Sequence, residues 1–518
     1  MRPPEKACDP SAATGLLEDL VDHNLLIAHA LGRYRLHDLL RAYARTLAGQ
    51  DPAERNQAVL GRLLHYYAHT SQSASIPLAR HPRPAADGPA PAHVPALTDP
   101  DAARAWLRIE RENLEAACAH ARMSALDGHL IALAGGLAEI LRSDGPLHPA
   151  LGLHQAAADI AERHGRPASY ANALIDLGTA RRMTGNLSGA AKSFTRALEI
   201  YCGTGDLNGQ ANALTVLGGV RFLTADLPGA AEHLGRALEI CRAIGDRNGQ
   251  AAVFTYSWRV RQLTGDLPGA AEDLTRALEI YRAIGHRSGE AAALAGSGIV
   301  RQLTGDLPGA AEDLTRALEI YRAIGDLNNQ ASALNDLGIV RRLTGDLPGA
   351  GAAHARSLEI YRAIGHRNGE AAALAESGRV RLLTGDLAGA GEAVSRALEV
   401  FRETGHRNNE ACVLNYYAAT VAATGDLPRA HALYQQSLAM NRELNKPDEE
   451  AVALEGLGEC DLAAGETNLP PLTCARRWRS TSVSACQLTH AVFKTGSARP
   501  LLSESQAPRR VSGVREEN

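Results

Sequence analysis

Lysine is nearly missing from this chain: Lys6, Lys192, Lys446 and Lys494 are its whole complement. None follows a glycine-rich loop, and no G-x-x-x-x-G-K-S/T stretch occurs. The backbone amides and ammonium group that cradle a nucleotide's phosphates are therefore lacking, which excludes ATP hydrolysis by this chain alone. The eight cysteines form no C-x-x-C pair, so neither a zinc site nor a disulfide framework is expected, and a reducing, cytoplasmic setting is. No apolar run is long enough to span a bilayer; Leu130–Leu141 is too short and too rich in glycine. Net charge is only −4, from 54 basic and 58 acidic residues, so no global field draws in nucleic acid or an anionic membrane. Catalytic frames are also missing: His65 and His69 lack an H-E-x-x-H context and read as surface residues, and no serine sits in G-x-S-x-G. No metal site and no catalytic residue is expected.

Aromatic residues make up only 4% of the chain, whereas glycine occurs 49 times, a balance that suits helices with regular glycine stops. The stops are periodic. GNLSGA starts at Gly185, ADLPGA at Ala225, GDLPGA at Gly265, Gly305 and Gly345, GDLAGA at Gly385 and GDLPRA at Gly425, a step of forty residues. Within the unit Ala331–Gly365, apolar residues at Leu334, Leu337 and Leu343, then at Leu347, Leu358 and Ile360, predict two amphipathic helices. Gly345 is the expected left-handed stop, Asp346 the cap of the next helix, and Pro348 a first-turn residue.

Leu337-Gly338 in the first helix, with Ala310, Leu314 and Ala317 in the second, resembles the tetratricopeptide repeat. The resemblance implies an all-α, tetratricopeptide-type α-solenoid over residues 130–465, of about eight hairpins, with the long period taken up by an extended second helix and a loop such as AIGDLNNQ. Positions that recur from unit to unit are assigned to stacking. They include Arg181, Arg221, Arg261, Arg301, Arg341 and Arg381, which with Glu199, Glu239, Glu279, Glu319, Glu359 and Glu399 read as a solvated ladder of Arg–Glu pairs. Positions that differ between units lie three and four apart on the first helix. By the resemblance that face lines a concave groove, so Asn212, Thr215, Phe222, Arg259, Gln262, Gln302, Asn335, Ile339, Arg342 and Arg379 become the candidate contacts to a protein or peptide. Trp258 replaces the helix-contact glycine of the other units, and its indole is expected to push two helices apart.

Residues 13–48 alternate as helix, strand LLIAH, turn, strand RYRL and helix, the pattern of a small winged-helix module. LVDHNLL followed by GRYRLHDLLRAYAR is similar to the winged-helix end of the NB-ARC module of STAND-class signalling NTPases, and the segment to AWLRIERENLEAACAHA resembles the joint to the repeats in actinobacterial regulators. On that resemblance, Leu36-His37-Asp38 stands where the family has Met-His-Asp. His37 would sense the β-phosphate of ADP with Asp38 orienting it, provided a separate NB-ARC domain supplies the rest of the site. The expected organisation is a winged-helix remnant at 1–50, a helical connector at 51–129 with a proline-rich linker at 76–100, the array at 130–465, and a disordered tail at 466–518. That tail breaks phase where a second helix is due; codons permitted around CARRWRSTSVSACQ can be shifted to read AHLRPALEIYQRLGMP, the signature of a frame shift. The favoured function is a noncatalytic sensor or regulatory arm that binds protein and holds no cofactor itself, ADP or ATP belonging to a full-length relative. The alternatives are a winged-helix DNA-binding regulator, in which Arg33, Arg35, Arg41 and Arg45 touch DNA, or a decayed gene fragment.

Overall fold

A computed structural model describes residues 10–30, 33–79, 89–444 and 446–464. The N-terminal module runs α1 (Pro10–Asp22), β1 (Leu26–Ala30), β2 (Arg33–Leu36) and α2 (Asp38–Ala48). Its strands pair antiparallel, Leu26 opposite Leu36 and Ile27 opposite Arg35. The connector follows as α3 (Ala53–Ser75), a short 3-10 turn at Ile76–Leu78, α4 (Pro100–Ile109) and α5 (Arg111–Met123). Residues 80–88 of the expected linker and the whole of the expected frame-shifted tail lie outside the described residues.

Eight helical hairpins come next: α6 (Asp127–Asp144) with α7 (Leu147–Arg163), α8 (Pro167–Met183) with α9 (Leu187–Thr204), α10 (Leu207–Leu223) with α11 (Leu227–Ala243), and α12 (Arg247–Leu263) with α13 (Leu267–Ala283). They continue as α14 (Arg287–Leu303) with α15 (Leu307–Ile324), α16 (Leu327–Leu343) with α17 (Leu347–Ile364), α18 (Arg367–Thr384) with α19 (Leu387–Thr404), and α20 (Arg407–Ala423) with α21 (Leu427–Glu443). The last described element is α22 (Pro447–Ala464). The connector shares a core with the first hairpin, since Leu64, Leu107 and Leu114 pack with Leu133, Leu137 and Ile140.

The long loop expected within each unit is instead a tight turn. Gly325 closes α15 at φ +67° and Asp326 caps α16 by accepting from the Asn329 amide at 3.0 Å, so AIGDLNNQ is almost all helix. The same Gly-Asp device joins α16 to α17, where Gly345 has φ +87° and Asp346 accepts from Gly349 N at 2.9 Å. Left-handed glycines therefore recur every twenty residues, from Gly145 to Gly425, with Ala225 (φ +66°) the exception in the series. Helices of near-equal length, about 26 Å each at 1.5 Å per residue, alternate along the array.

The Arg–Glu ladder is also corrected. Each arginine reaches over the turn to the start of the next helix: Arg261 Nη1 holds Asp266 at 2.8 Å and its Nε holds Asp273 at 2.9 Å, while Arg181 donates to Ser193 Oγ at 2.8 Å. The glutamates pair within their own helix, as in Glu359 with Arg356 at 2.7 Å. The turn brings the Asp cap nearer to the arginine than the glutamate, which sits three turns further along the second helix. Trp258 is accommodated as well. It is buried with Ala270, Leu274 and Val300, and the neighbouring unit offers Gly296, whose absent Cβ would lie 3.2 Å from the indole.

The array curls until it touches itself. Arg108 on α4 donates to the Ile324 and Gly325 carbonyls at 3.1 and 2.5 Å while gripping Asp144 with two bonds of 2.7 and 3.1 Å. A Cβ on Gly145 would lie 2.8 Å from Ile364 Cα, and one on Gly185 2.9 Å from Thr404 Cβ. Asn408 Nδ2 donates to the Phe222 carbonyl at 2.9 Å. Each early turn thus meets the turn eleven helices on, the α6–α7 turn against the end of α17 and the α8–α9 turn against the end of α19.

Candidate functional site on the inner face

Self-closure wraps the first helices of the hairpins around a lumen. It has two connected parts of about 100 and 300 Å³, both bordered by Arg142, Arg182, Thr255 and Tyr256. The larger part is lined mainly by polar groups, among them Arg259, Asp336, Asn368, His366 and His406. Burial pushes the Asp336 carboxyl up to about 7 despite the pull of Arg259. Burial likewise holds His366 and His406 down to about 4, so both rings are neutral at pH 7. His366 uses that neutrality, because its Nδ1 accepts from the Gly369 amide at 2.8 Å as the cap of α18.

Of the sequence-derived contacts, Asn212 and Arg259 line the lumen. Thr215 does not reach it: the side chain is fully buried and its hydroxyl donates to Ala211 O in its own helix at 2.7 Å. Phe222 packs beside Leu214 and Leu234. Gln262, Gln302 and Ile339 are half-buried outside the lumen wall. Asn335, Arg342 and Arg379 are committed to an internal network rather than presented to a groove. Asn335 Oδ1 lies 2.9 Å from His354 Nδ1; Arg342 and Arg379 flank Glu376 at 3.6 and 3.1 Å; Arg379 also donates to the Tyr416 hydroxyl at 3.0 Å. Flanked by two guanidiniums, the Glu376 carboxyl stays below its ordinary value even though burial opposes this.

A further inner position lies outside the offsets singled out in the sequence. Asp176, Val216, Tyr256, Gly296, Asp336, Glu376 and Tyr416 occupy it in successive units, and its variability was visible in the repeat itself. His37 caps the start of α2 without a side-chain hydrogen bond and is exposed, as is Asp38, whose carboxylate lies 3.6 Å from Arg41. An exposed histidine beside one arginine does not fit a nucleotide by itself. Of the four N-terminal arginines, Arg33 is tied to Glu110 in the connector. His65 and His69 are half-buried rather than on the surface, and His65 Nε2 lies 3.1 Å from Pro89 O. Among the described residues no group of three metal-ligating side chains occurs, and no helix is long and apolar enough to cross a membrane.

The tetratricopeptide repeat family model matches residues 129–202, 329–403 and 369–443. The array is a tetratricopeptide-type α-solenoid. The chain is 32% identical over 196 residues to the regulatory protein AfsR of Streptomyces griseus, covering 37% of this chain and 20% of that one. It is 43% identical over 103 residues to AfsR of Streptomyces coelicolor, covering 18% and 10%. It thus spans a fifth or less of the curated relatives it matches. Among solved structures, a Rap protein complexed with Competence and Sporulation Factor superposes at TM-score 0.52 with 14% identity, over 67% of this chain and 98% of that one. A STAND protein with a tetratricopeptide repeat sensor from Pyrococcus horikoshii gives 0.41 at 14% identity, over 67% and 54%. The solenoid is a protein-interaction scaffold by architecture, and its sequence similarity is to a regulatory protein.

Proposed function

We propose that this chain is the noncatalytic sensor arm of a STAND-type signalling or transcriptional regulator, receiving a ligand on the inner face of its solenoid. The observation that carries the reading is the self-closed lumen, a polar interior held shut by contacts between turns eleven helices apart; a ligand favouring one curvature would shift the superhelical shape. Similarity to a regulatory protein over 196 residues supports it. The Rap protein, with its bound factor, offers a parallel for a solenoid of this kind holding a ligand.

The N-terminal module is the joint to an NB-ARC core supplied in trans. Leu39 (79% exposed) and Tyr43 stand exposed one turn apart on α2, Leu16 is exposed on α1, and α2 buries no side chain at all. A surface of that kind marks a missing neighbour. His37, at the entrance to α2, would then face the partner's nucleotide. DNA binding by the same module is disfavoured, because Arg33 and Arg41 already have acidic partners.

The test is capture of an isolated NB-ARC core, loaded with ADP, by the purified full chain. Capture that is lost in L39E/Y43E and weakened in H37A supports the joint. Absence of capture, or capture indifferent to these changes, refutes it.

A further inference from the structure

In the larger part of the lumen, α14 contributes only small or aliphatic side chains, Ala292, Ala295 and Ile299, with Gly296 between them. The Trp258 indole closes this shelf on the α12 side. Arg259 stands on α12, its guanidinium 5.3 Å from the Trp258 ring centre, and Asp336 stands across the shelf on α16. Neither takes part in an ion pair within 4 Å among the described residues, Arg259 drawing on the Asp336 carboxyl only from across the shelf, whereas Arg142 holds Glu139 at 2.9 Å and Glu376 is held by Arg379 at 3.1 Å. Two further polar residues border the same compartment. Asn368 Oδ1 and His406 Nδ1 lack hydrogen-bond partners although their residues are only 9% and 7% exposed.

We infer that this compartment binds a small zwitterion of the amino-acid type, a free amino acid or a short peptide, with its carboxylate on Arg259 and its ammonium on Asp336. The inference rests on the inner face being the ligand-receiving surface and names the chemistry received there. A guanidinium and a carboxyl held apart over an uncharged shelf match a molecule carrying both opposite charges. An anion or a cation alone would engage only one of the two. Trp258 and Gly296 offer room for an aliphatic portion between the charges. The volume of about 300 Å³ admits such a molecule and excludes a folded protein.

The experiment titrates the full chain with each of the common L-amino acids and with randomised di- and tripeptide pools, read by calorimetry and by Trp258 fluorescence. The arms separate a free amino acid from a peptide. The best binder is then compared with its N-acetylated and C-amidated forms against wild type, R259Q and D336N. Blocking either end should weaken binding by roughly ten- to a hundredfold, the range of one charge-assisted contact. In R259Q, amidation should cost nothing further, and in D336N acetylation should cost nothing further. Failure of every zwitterion to bind at millimolar concentration overturns the inference, as do capped forms that bind equally well, or variants as sensitive to capping as wild type. Capture of the NB-ARC core is measured on the same preparations. Capture without zwitterion binding defeats this inference alone, whereas zwitterion binding without capture defeats only the joint.

Discussion

Two glycines in equivalent turns separate the energy of self-closure from the energy of the turn. Gly185 (φ +92°) and Gly345 (φ +87°) both end a first helix of a hairpin. Replacing either with alanine places a Cβ in left-handed backbone, at a cost of about 1 kcal/mol. The chain itself tolerates this at Ala225 (φ +66°). Beyond the turn, the two sites differ. Around Gly345 a Cβ would meet nothing within 4 Å; at Gly185 it would lie 2.9 Å from Thr404 Cβ and closer still to its Cγ2. Thr404 is 9% exposed and β-branched, so it has little freedom to move aside, and overpacking of this kind costs about 1–3 kcal/mol. G185A should therefore lose about 2–4 kcal/mol and G345A about 1 kcal/mol, read as shifts of the urea midpoint at unchanged slope. In a double change with T404A, most of the excess at Gly185 should disappear, because the obstructing methyl has gone. Equal losses at the two glycines would show that the α8–α9 turn does not touch the end of α19.

Three other consequences are open to measurement. Arg108 makes four bonds to Asp144 and to the end of α15 but is 35% exposed, so R108A should cost about 2 kcal/mol and speed amide exchange in the α15–α16 turn; unchanged exchange there would contradict its place in the seam. R379A leaves Glu376 with the longer contact to Arg342 alone in a network whose side chains are about one-tenth exposed or less, and should destabilise by about 3 kcal/mol, a loss that E376Q in the same background partly relieves. Acid should unfold the array early. His354, His366 and His406 each titrate near 4 in the folded chain against 6.5 ordinarily, so the stability their neutral burial confers is complete above about pH 6.5 and lost as pH falls toward 4. The upper bound is about 3 kcal/mol per ring. H366N, which keeps a capping acceptor but does not titrate, should flatten this profile, and a profile identical to wild type would remove His366 from the account.

The regular part of the molecule was legible because it depends on neighbours in sequence. Leu337, Gly338 and Pro348 announce two helices and the stop between them, and Gly345 with Asp346 behaves as their chemistry requires. The second turn was misread as a loop because the polar residues Asn328 and Asn329 look loop-forming, whereas Gly325 and Asp326 had already satisfied the helix ends. The arginine ladder was paired with glutamate rather than aspartate for a similar reason: spacing along one helix says little about reach across a turn. Burial of Thr215, Asn335 and Arg342 could not be read from variability, which marks freedom from stacking and not exposure. Closure depends on small rotations summed over eleven helices, and no single unit carries that sum.

The claim on which the rest depends is that the solenoid is closed. Ser188 and Glu403 are both exposed and border the same cleft of about 700 Å³ between α9 and α19. Spin labels placed there by a chemistry that avoids the eight cysteines report the separation directly by dipolar spectroscopy. A closed array gives one short, narrow distance. An open one puts ten helix-to-helix steps of roughly 9 Å along a gentle arc between the labels, a separation of more than about 40 Å, and would contradict the account.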